Sequence, residues 1–178
     1  MKPSYLLAAA SLAIAAPLSA QMPDEGAMIA EQREAMEALS WMDGTWEGTV
    51  TTQTPEGPVT YRQTENISPI AGGTVRVIEG RGFDEAGELK FNAAAMIVYD
   101  AENDEYGMIA SARGRATQPW FKKTDNGFEW GFETGPVKIS YIAVYDDGVW
   151  SEEGFMAFGE APPAKFLEMR LERTGGSE

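Results

Sequence analysis

The chain contains no cysteine and no histidine. These two absences exclude a good deal of chemistry. Without cysteine there is no disulfide to hold the fold, even in an exported protein where one could form. Zinc sites built from Cys or His are excluded. Haem held by a proximal His or Cys is excluded too, leaving only the rarer Tyr ligation. A Ser-His-Asp triad and a Cys nucleophile are both impossible. Any catalysis must use Asp, Glu, Tyr, Lys, Arg, Ser or Thr. Basic residues are also scarce, with 14 Lys and Arg against 28 Asp and Glu, for a net charge of −14. Such a chain is repelled by phosphate backbones and anionic lipid heads, so nucleic acid is a poor partner. The plainest use of the charge is solubility.

Long apolar runs are missing except at the start. Lys2 precedes an apolar stretch, Tyr5 to Ala16, too short to span a bilayer. Pro17-Leu18-Ser19-Ala20 then offers small residues before a cut at Gln21, the pattern of a secretory signal. Leu18 at the minus-three position leaves the cleavage site open. Residues 1–20 are therefore expected to be removed, which places the protein in the periplasm or outside the cell with no membrane insertion. What remains suits one domain, with no linker in it.

Residues Asp24 to Ser40 read as a helix. Met28, Ile29, Met36 and Leu39 recur near a helical period, and Asp24 and Glu25 favour the N-terminal end of the dipole. A lid packed on the end of a barrel, or a mobile portal, would use such a stripe. After Gly44 the period becomes two. Strand-like runs follow, separated by turn signals at Pro55-Glu56-Gly57-Pro58, Pro69 to Gly73, Glu85-Ala86-Gly87, Asp100 to Asp104, Asp125-Asn126-Gly127, Gly135-Pro136 and Asp146-Asp147-Gly148. Pro119 weakens the sixth run and suggests an edge or bulge. The apolar residues of Val149 to Phe158 keep no single parity, which predicts a bulge near Gly154. The last run, Lys165 to Arg173, has Leu167, Met169 and Leu171 facing one way.

About ten strands with short turns make an antiparallel meander. Ten can close on themselves, remove both edges and leave room for one small ligand. The expected fold is all-β: an up-and-down antiparallel barrel over residues 41–174, preceded by a helical segment at 21–40 and followed by a disordered tail at 175–178. A two-sheet sandwich is the rival.

Gly44-Thr45-Trp46 after a helical lead-in, the hairpin series, and Arg170 and Arg173 on the last strand together resemble the calycin superfamily, the lipocalin and fatty-acid-binding-protein barrels. In lipocalins a late Arg packs over the Trp of Gly-x-Trp, and the resemblance implies Arg170 for that role, with Arg173 second. Gly44-Thr45-Trp46-Glu47-Gly48, Gly72-Gly73 and Tyr99-Asp100 look closest to a family of bacterial secreted lipocalin-like domains, over residues 39–174. Members of that family share no agreed activity, so the resemblance implies a fold and names no substrate. The related nitrobindin-like haem barrels hold iron through a His. This chain has none, so that function does not carry over, and no cofactor is expected.

The candidate site follows from the inward face. Trp120, Phe128, Trp130, Tyr141, Tyr145 and Trp150 fall in the second half, and barrel pockets are lined mainly by such groups. Trp130 and Tyr141 are the first choices, on neighbouring hairpin strands. Glu65 shares parity with Val59, Tyr61 and Ile67, and burial of a carboxylate is costly unless it is paired or protonated. Arg76 on the next strand is the expected partner, either as a structural ion pair or, with Tyr61, as the seat of a polar ligand head. The acidic turns lack the calcium-loop pattern, and no metal site is expected. The ligand-binding candidates are thus Tyr61, Glu65, Arg76, Trp120, Trp130 and Tyr141. They serve a small apolar or amphipathic molecule in a monomer or weak homodimer. An enzyme acting through Glu65 and Tyr61, or an envelope interaction module with no pocket chemistry, are the alternatives. Parity alone does not say which face is interior.

Overall fold

The computed structural model describes residues 24–176. The signal-peptide expectation for residues 1–20 lies outside the described residues. A helix, α1 (Glu25–Glu37), leads through a short 3-10 turn (Ser40–Met42) into eleven strands. These are β1 (Gly44–Thr54), β2 (Gly57–Ile70), β3 (Val75–Phe83), β4 (Leu89–Asp100), β5 (Glu105–Ala112), β6 (Arg115–Thr117), β7 (Trp120–Thr124), β8 (Gly127–Thr134), β9 (Val137–Asp146), β10 (Val149–Phe158) and β11 (Ala164–Gly175). All pairings are antiparallel. β1 joins β11, β4 joins β5 and β5 reaches β7, so ten strands close into a barrel. β6 pairs only with β5. The sandwich is thereby excluded, and closure leaves the ten strands no free edge. No described helix is long and apolar enough to cross a membrane.

Local sequence explains the connections. Asp147 and Gly148 both take positive φ, 45° and 82°, as the tight turn between β9 and β10 requires. Gln118 and Pro119 split the expected sixth strand into β6 and β7, because proline has no N–H to give a ladder. The register between β10 and β11 shifts at Gly154/Phe155, where the bulge was expected. β11 continues to Gly175, which pairs with Thr45, one residue past the expected end of the barrel.

One end of the barrel is plugged. Asp24 caps α1 by accepting from the backbone N–H groups of Gly26 and Ala27. Asp24→Ala should therefore lower stability by about 1 kcal/mol in a urea titration, the usual value of an N-cap. The helix is less amphipathic than expected: Met36 is its one buried residue, and Ile29 is exposed. Polar ties hold it instead. Gln32 donates to the Tyr99 carbonyl at 2.6 Å, Arg33 to Gly72 at 3.1 Å, and the Tyr106 hydroxyl to Ala35 at 2.6 Å. Met36, Leu39 and Met42 then cover Trp46, Ile67, Ile97 and Leu171, all seven fully buried.

Trp46 is the centre of this plug. Its indole N–H donates to the Met42 carbonyl at 2.7 Å. Gly44 opens β1 at φ 115°, and an added Cβ there would run into the Gly175 carbonyl. The guanidinium over the Trp46 ring belongs to Arg173, 4.3 Å from its centroid, and it also donates to the carbonyls of Trp41 and Asp43. This corrects the expectation for Arg170, which lies outside the barrel opposite Thr49. The reason is strand parity: Arg173 continues the inward series Leu167, Met169, Leu171, and Arg170 does not.

Candidate functional site

The plug accounts for half of the second-half aromatics. Trp41 stacks on Tyr145 at 4.9 Å and meets Trp46 and Trp150 edge-on at 6.3 and 5.6 Å. Phe128 stacks on Phe121 at 5.1 Å and meets Trp150 at 5.9 Å. Trp120 is not in the lumen. It stands on the outer wall, 48% exposed, over Gly131, where an added Cβ would lie 2.8 Å from its ring. The break at Gln118–Pro119 resets parity, so Phe121 takes the inward slot.

Beyond the plug the lumen changes character. Tyr61, Ile78, Trp130, Tyr141 and Leu167 face inward by register, yet each is only half-buried. They lie on the side of the plug that carries the β1–β2, β3–β4, β8–β9 and β10–β11 turns, where the inward side chains are less covered than at the plug. On the lumen wall Trp130 and Tyr141 stack face to face, 4.1 Å apart and 9° from parallel, as cross-strand partners of β8 and β9. Phe166, left unpaired by the β10–β11 bulge, meets the Tyr141 ring at 5.8 Å. Gly154 makes room for that ring: an added Cβ would lie 2.9 Å from it.

Two carboxyl groups share this part of the barrel. Glu65 lies under the inner wall, accepting from the Gln63 amide at 2.7 Å. Its oxygens occupy the space a side chain would take at Gly80, within 2.6 and 2.8 Å of an added Cβ. Burial pushes its pKa up to about 7, with the charge of Glu79 adding to the rise and the Gln63 hydrogen bond opposing it. Glu152 accepts one long bond, 3.4 Å, from the Trp130 indole N–H. Burial lifts it to about 8, and the neighbouring Glu65 adds to the rise. Burial also keeps the Tyr141 phenol protonated well above its ordinary range, with Glu152 reinforcing the effect.

Arg76 is not the partner of Glu65. It is 2% exposed at the plugged end, with Nε 2.7 Å and Nη2 3.0 Å from the two carboxylate oxygens of Asp43, and it also donates to the Met36 carbonyl. The ladder sets Arg76 opposite Pro69 and Glu65 opposite Gly80. Four residues of strand, about 13 Å, separate the two levels. Tyr61, Glu65, Trp130 and Tyr141 thus line the lumen, and Arg76 and Trp120 do not. Glu152 and Gln63 were missed. Glu152 shares the parity of Trp150, a signal obscured by the mixed apolar pattern of β10.

Two further grooves, of about 320 Å³ beside Thr49, Thr51, Lys165 and Glu168 and about 240 Å³ beside Thr64, Asn66, Glu79 and Arg81, lie on the outer wall. Their lining is mixed, with Phe166 and Leu167 in the first and Glu65 in the second beside exposed polar chains.

No family model matches the chain, and no curated protein matches it. Among solved structures, the crystal structure of Rv2717c from M. tuberculosis is similar, with a TM-score of 0.60 over 79% of this chain and 97% of that one, at 14% identity. A likeness at that identity shows the fold alone.

Proposed function

We propose that this protein is a lipocalin-like barrel that carries a small, mainly apolar or amphipathic molecule in its lumen, working in the periplasm or outside the cell. One observation carries the reading. The stacked Trp130–Tyr141 pair faces inward yet is only half-covered, beside polar groups that are fixed and buried. That is the composition of a small-molecule site: flat apolar walls for the body of the ligand, and a few oriented polar atoms for its head.

N-phenyl-1-naphthylamine, a neutral dye that brightens in apolar surroundings, tests this. Saturable brightening is expected, and Tyr141→Ala should weaken it about tenfold, the value of one good aromatic contact. Trp120→Ala, on the outer wall, should leave it unchanged. Absence of saturable binding, or an equal effect of Trp120→Ala, would overturn the reading.

An enzyme acting by acid–base chemistry is the second reading, favoured by two lumen carboxyls that titrate near neutrality. It predicts loss of a turnover in Glu152→Gln with dye binding retained. A turnover untouched by Glu65→Gln and Glu152→Gln alike would remove it.

A further inference from the structure

We infer that the molecule held in the lumen carries a basic nitrogen, and that Glu65 and Glu152 together receive it as an ammonium group. The inference rests on the reading of the lumen as a ligand chamber and adds the chemistry of the ligand's head.

The first ground is what the two carboxyls lack. Each accepts a single hydrogen bond from a neutral donor, Glu65 from Gln63 and Glu152 from Trp130. A carboxylate offers about four acceptor positions, so most of their capacity is open. Both side chains are more than nine-tenths buried, Glu65 at 9% and Glu152 at 8% exposure. Among the described residues neither has a cation beside it. Arg76 is held by Asp43 and the Met36 carbonyl, and Arg113 lies exposed at the open rim, 5.7 Å over the Phe91 ring. Buried carboxyl groups are ordinarily paired. Two without a cation in one chamber are short of a positive charge.

The second ground is the wall around them. Trp130 donates to Glu152 and stacks on Tyr141, so the carboxyl sits at the edge of an aromatic pair. Aromatic faces attract ammonium groups as well as apolar bodies. A third polar group on the same inward face is also incomplete. Trp150, two residues before Glu152 and 3% exposed, has an indole N–H without a partner.

Charge then discriminates among heads. An alkylammonium brings three donors and a positive charge to two acceptors. An alcohol brings one donor. A carboxylate or phosphate brings a like charge and is repelled, and the acidic chain as a whole adds to that repulsion.

Amine binding must also expel protons. Burial keeps Glu152 mostly protonated and Glu65 about half protonated at neutral pH. The other ionisable groups near them are Tyr61 on β2, Glu79 on the outer side of β3 and Tyr141 on β9, with Arg113 at the rim; Arg76 lies four residues further along β3. The inward side chains of β1 and β11 near them, Trp46, Val50, Leu167 and Met169, do not ionise. The affinity for an amine should therefore rise with pH as Glu65 and then Glu152 lose their protons.

Isothermal titration calorimetry with three probes of one shape tests this: 4-phenylbutylamine, 4-phenylbutan-1-ol and 4-phenylbutanoate. At pH 8 the amine should bind at least tenfold more tightly than the alcohol, and the acid more weakly than either. Between pH 8 and pH 5.5 the amine should lose at least tenfold while the alcohol stays level. The double variant Glu65→Gln, Glu152→Gln should lose the preference for the amine. Equal binding of amine and alcohol, a preference for the acid, or an amine preference that survives in the double variant would each overturn the inference. Dye binding without a preference among heads would leave the chamber standing and remove only its ammonium chemistry; no dye binding would remove the chamber itself. Should the double variant fail to fold, the head-group series and its pH dependence in the unaltered protein decide the matter.

Discussion

Glu152→Gln should stabilise the protein at pH 9 by an amount on the order of 5 kcal/mol and change little at pH 4.5. The carboxyl of Glu152 has its pKa lifted from 4.5 to about 8 by burial inside the barrel. Below 4.5 it is protonated in both the folded and the unfolded chain, and folding is indifferent to pH through this group. Between 4.5 and 8 the folded chain keeps the proton and the unfolded chain loses it. Stability then falls by up to about 1.4 kcal/mol for each pH unit. Above 8 the charged form is buried and the loss is complete. Glu65 behaves alike over a shorter window, from 4.5 to about 7. Glutamine keeps the shape and does not ionise, so the difference between the two proteins isolates Glu152 from the general self-repulsion of an acidic chain. Urea titrations at pH 4.5, 7 and 9 measure it. Parallel pH profiles for the two proteins would show that Glu152 is not held protonated by the fold.

Asp43→Ala should be the most damaging substitution at the plugged end, costing about 3–5 kcal/mol. The loss does not measure the attraction in the ion pair. It measures a guanidinium left charged and 2% exposed after its bidentate partner is gone. Arg76 also ties the Met36 carbonyl at the end of α1 to β3, so the helix should loosen with it. Replacing both partners by apolar residues of similar size, as in Asp43→Leu with Arg76→Met, should recover most of the loss. A cost below 1 kcal/mol for Asp43→Ala, the value of a solvated pair, would place Arg76 in contact with water.

Much of this architecture was readable from local chemistry. Asp147-Gly148 has the turn conformation that residue pair favours, and the alternation of Leu167, Met169 and Leu171 marked the inward face of β11 correctly. The resemblance to Gly-x-Trp barrels set a late Arg over Trp46, and that Arg is Arg173, its second choice after Arg170. Where the reading failed, the missing quantity was register between strands. Glu65 and Arg76 lie on adjacent strands with compatible parity, but the turn at Ala71–Gly73 sets them four residues apart in the ladder. Arg76 is then claimed by Asp43, thirty-three positions away in the chain. Trp120 faces outward because a proline break resets the alternation within one run. Glu152 went unseen because Val149, Trp150, Phe155, Met156, Ala157 and Phe158 follow no one parity. Its pairing with Ala143 and Met169 defines the inward face instead. The half-covered Trp130–Tyr141 stack depends on two strands meeting in one register. No single run of residues contains it.

The central claim is that the lumen holds a small molecule, and native mass spectrometry of the protein isolated from the cells that make it tests this most directly. The account predicts a mass above that of the chain that disappears on denaturation, or, where isolation has stripped the ligand, a one-to-one adduct with N-phenyl-1-naphthylamine that Tyr141→Ala weakens. The bare chain mass in both measurements, as isolated and with the dye in excess, would contradict it.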